Sequence, residues 1–331
     1  MTTFGLIFLI VVALGFDFTN GFHDAANAVA TSITTRALRP AVALAMAASL
    51  NVVGALVSTK VASTVGSGII ANPKGHGGLV VVFAALIGAI GWNLLTWRLG
   101  LPSSSTHALI GGLVGAAIAS AGVVHWHVLS VKVLLPMLAS PVIGLALGYA
   151  AMVVILWAFR RARPRTVNTR FRWAQSLSTA AMSYSHGTQD AQKTMGVITL
   201  ALVTTGHLKK FHVPVWVILA SAAAMGLGTA LGGWRIIGTL GRRITPLDPP
   251  RGFAAQSTAA GVLLVSAYYY AMPISSTHVI TSTVMGAGAT RRLSSVRWGV
   301  AREVILAWVL TLPGAGLTAA AVYLVAHAVT R

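Results

Sequence analysis

Two polar stretches embedded in long apolar segments carry residue types that can do chemistry. The first is Asn20-Gly21-Phe22-His23-Asp24-Ala25-Ala26-Asn27; the second, His186-Gly187-Thr188-Gln189-Asp190-Ala191-Gln192-Lys193, repeats the glycine and the aspartate three residues apart. In hydrocarbon a carboxylate costs several kcal/mol unless it pairs, protonates or faces water, so Asp24 and Asp190 are candidate holders of a cation. His23 and Gln189 stand directly before them, and Asn27 and Lys193 follow each by three residues. The last two offer amide and ammonium donors. Lys193 can equally pair with Asp190, and His23 is the better of the motif histidines for relaying a proton near neutral pH.

A second duplicated motif can do the opposite job. Pro102-Ser103-Ser104-Ser105-Thr106-His107 and Pro273-Ile274-Ser275-Ser276-Thr277-His278 agree at five of six positions. Proline ends a helix and serine or threonine caps the next, so each motif is expected to open a helix, with helical character from Ala108 and Val279 onward. Unpaired N–H groups at a helix start, joined by hydroxyls, form a cradle for an oxyanion. Ser104, Ser105, Thr106, Ser275, Ser276 and Thr277 are the candidates. Carboxylates next to an anion cradle make sense if a cation, H⁺ or Na⁺, enters with the anion, which is what a secondary symporter requires. His107 and His278 read as structural donors. Rival uses are an intramembrane hydrolase with a Ser105–His107–Asp24 triad, which gains nothing from a twofold motif, and a passive channel, for which buried acids are poorly suited.

The elements that must position these groups are membrane helices. Of 331 residues 56% are hydrophobic and 9% charged, far from a soluble globule, where about a quarter are charged. Ten apolar segments follow one another, at about 4–35, 41–59, 79–98, 103–124, 128–159, 174–204, 213–240, 253–271, 274–290 and 298–329, the first and sixth interrupted by the aspartate motifs, with Asp17 shaping the break before Asp24. The pattern is an all-α polytopic membrane protein of two inverted-topology repeats, with broken helices and re-entrant or half-helix segments meeting at the bilayer midplane. The first repeat is residues 1–159, an Arg-rich cytoplasmic linker is 160–173, and the second repeat is 174–331.

Charge supports the inversion. The net charge of +19 does not mark a nucleic-acid partner, because the basic residues lie between apolar runs. With the linker inside, sixteen Lys and Arg fall inside and five outside (Lys60, Lys74, Lys209, Lys210 and Arg331), which puts both termini outside. Glu303 beside Arg302 reads as solvated or paired, and Asp248, among prolines, as a loop residue. Cysteine is absent, so no disulfide or thiolate site exists. Membrane lipid is the expected surround, and a homodimer is compatible with the sequence.

Gly21-Phe22-His23-Asp24-Ala25-Ala26-Asn27-Ala28, His186 to Gly196 and the paired proline-serine-threonine-histidine motifs resemble the inorganic phosphate transporter (PiT) family, from about residue 10 to 320. The resemblance implies a secondary transporter of inorganic phosphate in the cell membrane, driven by Na⁺ or H⁺, with the aspartates and serine-threonine motifs as its site. It implies no resident cofactor, although phosphate can enter bacterial members as a metal complex. Sodium-coupled members carry Asn where this chain has His23 and Gln189, which favours protons. The family also includes sulfate permeases.

Overall fold

The structure is a computed structural model that describes residues 2–71 and 75–330, with the side chains of residues 2, 75, 76 and 330 not described. Lys74 and Arg331, counted above for topology, lie outside the described residues. Among the described residues, helices account for the architecture, apart from a single antiparallel bridge between Ile70 and Val124. The order is α1 (Thr2–Thr34), α2 (Pro40–Ala55), α3 (Lys60–Ser63, continued by a π-helical turn to Gly68), α4 (Gly75–Leu99), α5 (Ser105–Ala119), α6 (Trp126–Leu129) and α7 (Leu135–Ala158). Then follow α8 (Pro164–Thr204), α9 (Val215–Leu231), α10 (Trp234–Gly238, continued to Arg243), α11 (Pro249–Val265, continued to Tyr270), α12 (Ser276–Ala289) and α13 (Trp298–Thr330).

The two aspartate motifs interrupt the apolar pattern but not the helices, which corrects the expected breaks. Helix α1 runs unbroken through Asp24 for 33 residues and α8 through Asp190 for 41. Alanine and glutamine in the motifs are good helix formers, and a helix satisfies its own backbone whatever its side chains do. Helix α8 also begins ten residues before its apolar run, inside the Arg-rich stretch, because Pro164 suits a first helical position and arginine favours helix. The breaks fall elsewhere. Between α2 and α3 the chain bends by 69°, and between α9 and α10 by 58°, where Gly232 adopts φ +71°.

Among the described residues, four stretches are long and apolar enough to cross a bilayer: Thr3–Thr34, Gly77–Leu99, Trp126–Ala158 and Trp298–Val329; the two bent pairs raise this to six. Helices α5 and α12, with 15 and 14 residues, are too short to cross and are half-helices. Leu138, Val142, Leu317 and Val325 are exposed on α7 and α13, as a lipid-facing belt requires.

The half-helices point in opposite directions. The far end of α5 reaches the bridge at Ile70–Val124, where His125 Nδ1 lies 3.0 Å from the Gly68 carbonyl. Lys60 and Lys132 donate there to the carbonyls of Tyr268 and Tyr270. The far end of α12 instead reaches Thr245, and beyond it Arg297 donates to the carbonyls of Ile244 and Arg242. At that same end Arg235 donates to the Arg98 carbonyl and Arg243 lies 3.9 Å from Glu303. One face of the molecule is therefore rich in lysine and the other in arginine, and the repeats run oppositely between them. Asp248 belongs to this arginine end as the N-cap of α11, accepting from the backbone of Arg251, a defined role beyond the loop position expected for it.

The repeats are also interlocked. Gly21 of α1 abuts the backbone of α9 at Met225, while Gly228 of α9 abuts Phe18; Gly187 of α8 abuts Asn51 of α2, while Gly54 of α2 abuts Tyr184. These are the same contacts in the two halves. Helix α5 packs on α13 with Gly115 against Gly316, and α12 packs on α7 with Gly286 against Leu145. Each half-helix is thus covered by the last helix of the other half: α13 comes from the second repeat to cover the first repeat's α5, and α7 returns the exchange.

This close approach is testable at Gly187, where an added Cβ would lie 2.1 Å from the Asn51 carbonyl oxygen, whereas one at Gly91 meets nothing within 4 Å. Gly187→Ala is expected to cost about 1–3 kcal/mol by overpacking. Gly91→Ala should be neutral. Thermal unfolding midpoints in detergent micelles measure both, and equal midpoints would contradict the packing.

Candidate functional site

The starts of α5 and α12 meet at the centre of the molecule, with the His107 and His278 rings edge to face at 4.9 Å. Helices α1 and α8 bring the aspartates against them. Ser105 Oγ donates to Asp24 Oδ2 at 2.6 Å, and Ser276 Oγ donates to Asp190 Oδ2 at 3.3 Å. Each half then reaches into the other. Lys193 Nζ of α8 donates to Ser105 Oγ at 3.1 Å, and Asn27 Nδ2 of α1 donates to Ser276 Oγ at 3.2 Å and Thr277 Oγ1 at 2.9 Å. Thr277 Oγ1 lies 3.4 Å from Asp24 Oδ1. Asn27 and Lys193, equivalent in the two motifs, therefore make equivalent bonds.

Each carboxylate has a basic side chain of its own helix beside it. Lys193 Nζ is 3.0 Å from Asp190 Oδ1, so the lysine serves as both ion-pair partner and hydroxyl donor. His186 Nε2 lies 3.0 Å from Asp190 Oδ2, and His23 Nδ1 lies 2.7 Å from Asp24 Oδ1. All of these residues are at most about 2% exposed. In such a medium a charge is tolerable only when paired and hydrogen-bonded. Asp24, His186 and Asp190 each turn a ligand atom to within 4.8 Å of the others, a set of hard oxygens and an imidazole able to hold a cation.

Not every expected residue faces this centre. Ser104 and Ser275 act as N-caps, accepting from the backbone N–H of His107 and His278, each at 3.2 Å, so their hydroxyls hold the helix starts. The helices begin at Ser105 and Ser276, three residues before the expected onset. This leaves the N–H groups of Ser105, Thr106, Ser276 and Thr277 as the free ends of two helices. Thr106 contributes there through its backbone and is itself buried. Gln189 departs from expectation: its amide donates to the carbonyls of Leu263 and Met272, bridging the gap between α11 and α12.

The ring nitrogens of His107 have no hydrogen-bond partner among the described residues, which corrects its reading as a satisfied donor, whereas His278 lies against the Met137 backbone and stacks on Trp308 at 4.0 Å. No Ser105–His107–Asp24 triad forms, because Ser105 donates to the aspartate directly. Sequence reasoning missed Thr96 and Ser103, which hold His23 Nε2 at 3.1 and 3.5 Å. Thr96 has no local signal, whereas Ser103 lay in a nominated motif. Gln192 was missed as well: its Oε1 accepts from the Val61 and Ala62 N–H groups and caps the broken helix α3.

Lys193→Met is expected to leave Asp190 short of charge and to destabilise the protein by about 3–5 kcal/mol, the usual result of removing one member of a buried pair. The double variant Lys193→Met/Asp190→Asn should recover most of that loss. Thermal midpoints of the purified variants provide the check; no recovery would mean that Lys193 acts by packing alone.

The Phosphate transporter family profile matches residues 20–169 and 158–319. A protein of Rhizobium meliloti described as "Probable low-affinity inorganic phosphate transporter" is 46% identical over 98% of this chain and 97% of its own. One of Bacillus subtilis with the same description is 42% identical over 96% of each chain. A solved structure titled "The sodium-dependent phosphate transporter" superposes with a TM-score of 0.89 at 25% identity, covering 98% of this chain and 99% of that one. With duplicated acids and paired helix starts held at its centre, this multi-pass membrane chain belongs to the phosphate transporter family.

Proposed function

We propose that the chain imports inorganic phosphate together with protons by alternating access, and that the Asp24–Ser105–Lys193–Asp190–Ser276–Asn27 ring is where both are held. The single observation that carries this reading is the meeting of two capped helix starts with two carboxylates at one buried centre. Four free N–H groups and the hydroxyls of Ser105, Ser276 and Thr277 suit a tetrahedral oxyanion. Without a companion cation the carboxylates oppose it. In this reading a proton entering with the anion is held at the His23–Asp24 and His186–Asp190 pairs, which removes that opposition and makes anion binding conditional on it. Phosphate retains a proton near neutral pH and can donate it to a carboxylate; sulfate cannot.

The burial of every site residue supports an occluded arrangement of the kind alternating access passes through. The moving units in this reading are not the sequence halves. Helix α13 travels with α4 and α5, and α7 with α11 and α12, around the packed set of α1, α2, α8 and α9. The arginine end is assigned to the cytoplasm of a cell membrane and the lysine end to the outside, in line with positive-inside bias.

Asp24→Asn is expected to insert normally and to lose accumulation of radiolabelled phosphate in proteoliposomes. Ser105→Ala with Ser276→Ala should raise the apparent KM for phosphate by roughly tenfold or more, as expected when hydrogen bonds to a charged group, about 1.5–3 kcal/mol each, are removed. Imposing proton and sodium gradients separately, with sulfate as competitor, decides the driver; uptake under a sodium gradient alone, or normal accumulation by Asp24→Asn, would overturn the reading. Orientation is tested on this naturally cysteine-free chain. An impermeant maleimide applied to intact cells should label His207→Cys and leave Asn168→Cys untouched.

A further inference from the structure

Away from the central site, one pocket gathers charge of a single sign. At the arginine end a cavity of about 410 Å³ is lined by Arg98 of α4, by Arg235, Arg242 and Arg243 of α10 and its continuation, and by Gly100 and Thr239. No acid lines it. Among the described residues the ion pairing of these four arginines is confined to Arg243 with Glu303, 3.9 Å apart and both about half exposed. The frame of the pocket is fixed. Arg235 donates to the Arg98 carbonyl and lies over the Trp97 ring at 5.4 Å, and Thr239 Oγ1 donates to the Gly100 carbonyl at 2.7 Å. Arg297 secures the far wall, donating to the Arg242 and Arg243 carbonyls at 3.1 and 3.5 Å.

Positive-inside bias accounts for arginine at this end but not for four arginines around one cavity. Like charges brought together oppose one another unless an anion joins them. We propose that this pocket binds a phosphoryl anion, either the phosphate of an anionic phospholipid or a free polyphosphate, and that the bound anion bridges α4 to α10. Planar guanidinium forks match the oxygens of a phosphoryl group, which can take donors from several arginines at once, whereas a carboxylate has two oxygens and one fork occupies them. The rim suits an interfacial ligand. Leu99 and Trp234, each adjacent in sequence to one of these arginines, are 57% and 52% exposed, so charged and apolar surface meet here as they do where membrane gives way to water.

The pocket is not a by-product of the repeat. At the opposite end, the continuation of α3 beyond the 69° bend adjoins a pocket of about 300 Å³ lined by Ser63, Thr64, Ser67 and His127, with Lys132 as its one lysine or arginine, and that ammonium donates to the Tyr270 carbonyl. The arginine pocket also sits at a joint. Arg98 stands in the last turn of α4, ahead of the Pro102–Ser104 stretch that opens α5, while α10 follows the 58° bend after α9. In the transport reading above, α4 and α5 move against the set that contains α9, so an anion joining α4 to α10 holds the two together at the arginine end. The binding itself does not rest on that reading.

The test uses the purified full-length protein in a neutral detergent at constant ionic strength, with no transport step. The saturable rise in thermal midpoint is titrated with sodium tripolyphosphate and, separately, with short-chain phosphatidylglycerol against phosphatidylcholine. At least one of the two anions should bind. A response to tripolyphosphate alone identifies a soluble ligand, one to phosphatidylglycerol alone a lipid headgroup, and each supports the site. Arg98→Gln and Arg242→Gln, both exposed positions, should each raise the apparent Kd by roughly fivefold or more, while Arg170→Gln, the same charge change on the exposed start of α8, should leave it unchanged. Ser105→Ala with Ser276→Ala should also leave it unchanged. No response to either anion, wild-type affinity in either pocket variant, or an equal loss in Arg170→Gln overturns the proposal. So does binding lost with the serine pair, which would place the anion in the central site.

Discussion

Two carboxylates buried near the middle of a membrane protein are the constraint from which the rest follows. Neither can stay charged there alone, and the surrounding groups are those that make the burial tolerable: Lys193 and His186 for Asp190, His23 and Ser105 for Asp24. Because Lys193 and Asn27 each reach from one repeat to the serines of the other, neutralising the acids also fixes how the repeats meet. Charge balance and architecture are one problem here, solved by the same handful of bonds.

Continuous helices through the acidic motifs make that solution possible. An unbroken α1 or α8 satisfies its own backbone and can present His23, Asp24 and Asn27, or His186, Asp190 and Lys193, at fixed angles. The irregular backbone is moved to places that protein covers: the bends after α2 and α9, the first capped by Gln192, and the starts of α5 and α12, capped by Ser104 and Ser275. Small residues let the helices approach closely enough for these bonds to form, as at Gly21, Gly54, Gly187 and Gly228.

Much of this was legible before any coordinates. Each of the ten apolar runs holds helix, though the short α3 lies outside them, and duplication of both motifs pointed to most of the residues that meet at the centre. The sequence could not show that the Asp24 and Asp190 stretches remain helical, because apolarity was taken as a proxy for helix and the two part company where polar side chains face a polar interior. Gln189 was misjudged because adjacency to Asp190 says nothing of direction: successive helical residues are turned about 100° from each other, and its amide met the Leu263 and Met272 carbonyls instead. Thr96 was invisible for a related reason, since its meaning comes from the packing of α4 on α1. Such packing is a tertiary fact with no local pattern.

The exchange of terminal helices has a consequence for biogenesis. Helix α5 leaves the ribosome long before α13, the element that covers it, has been synthesised. A half-helix ending at mid-membrane has open N–H groups and cannot sit stably in lipid by itself. The first five segments must therefore wait in a provisional arrangement until α13 arrives. A nascent chain cut short before α13 would leave α5 uncovered, and quality-control proteases would meet it as an unfinished membrane protein rather than as a smaller, self-sufficient one.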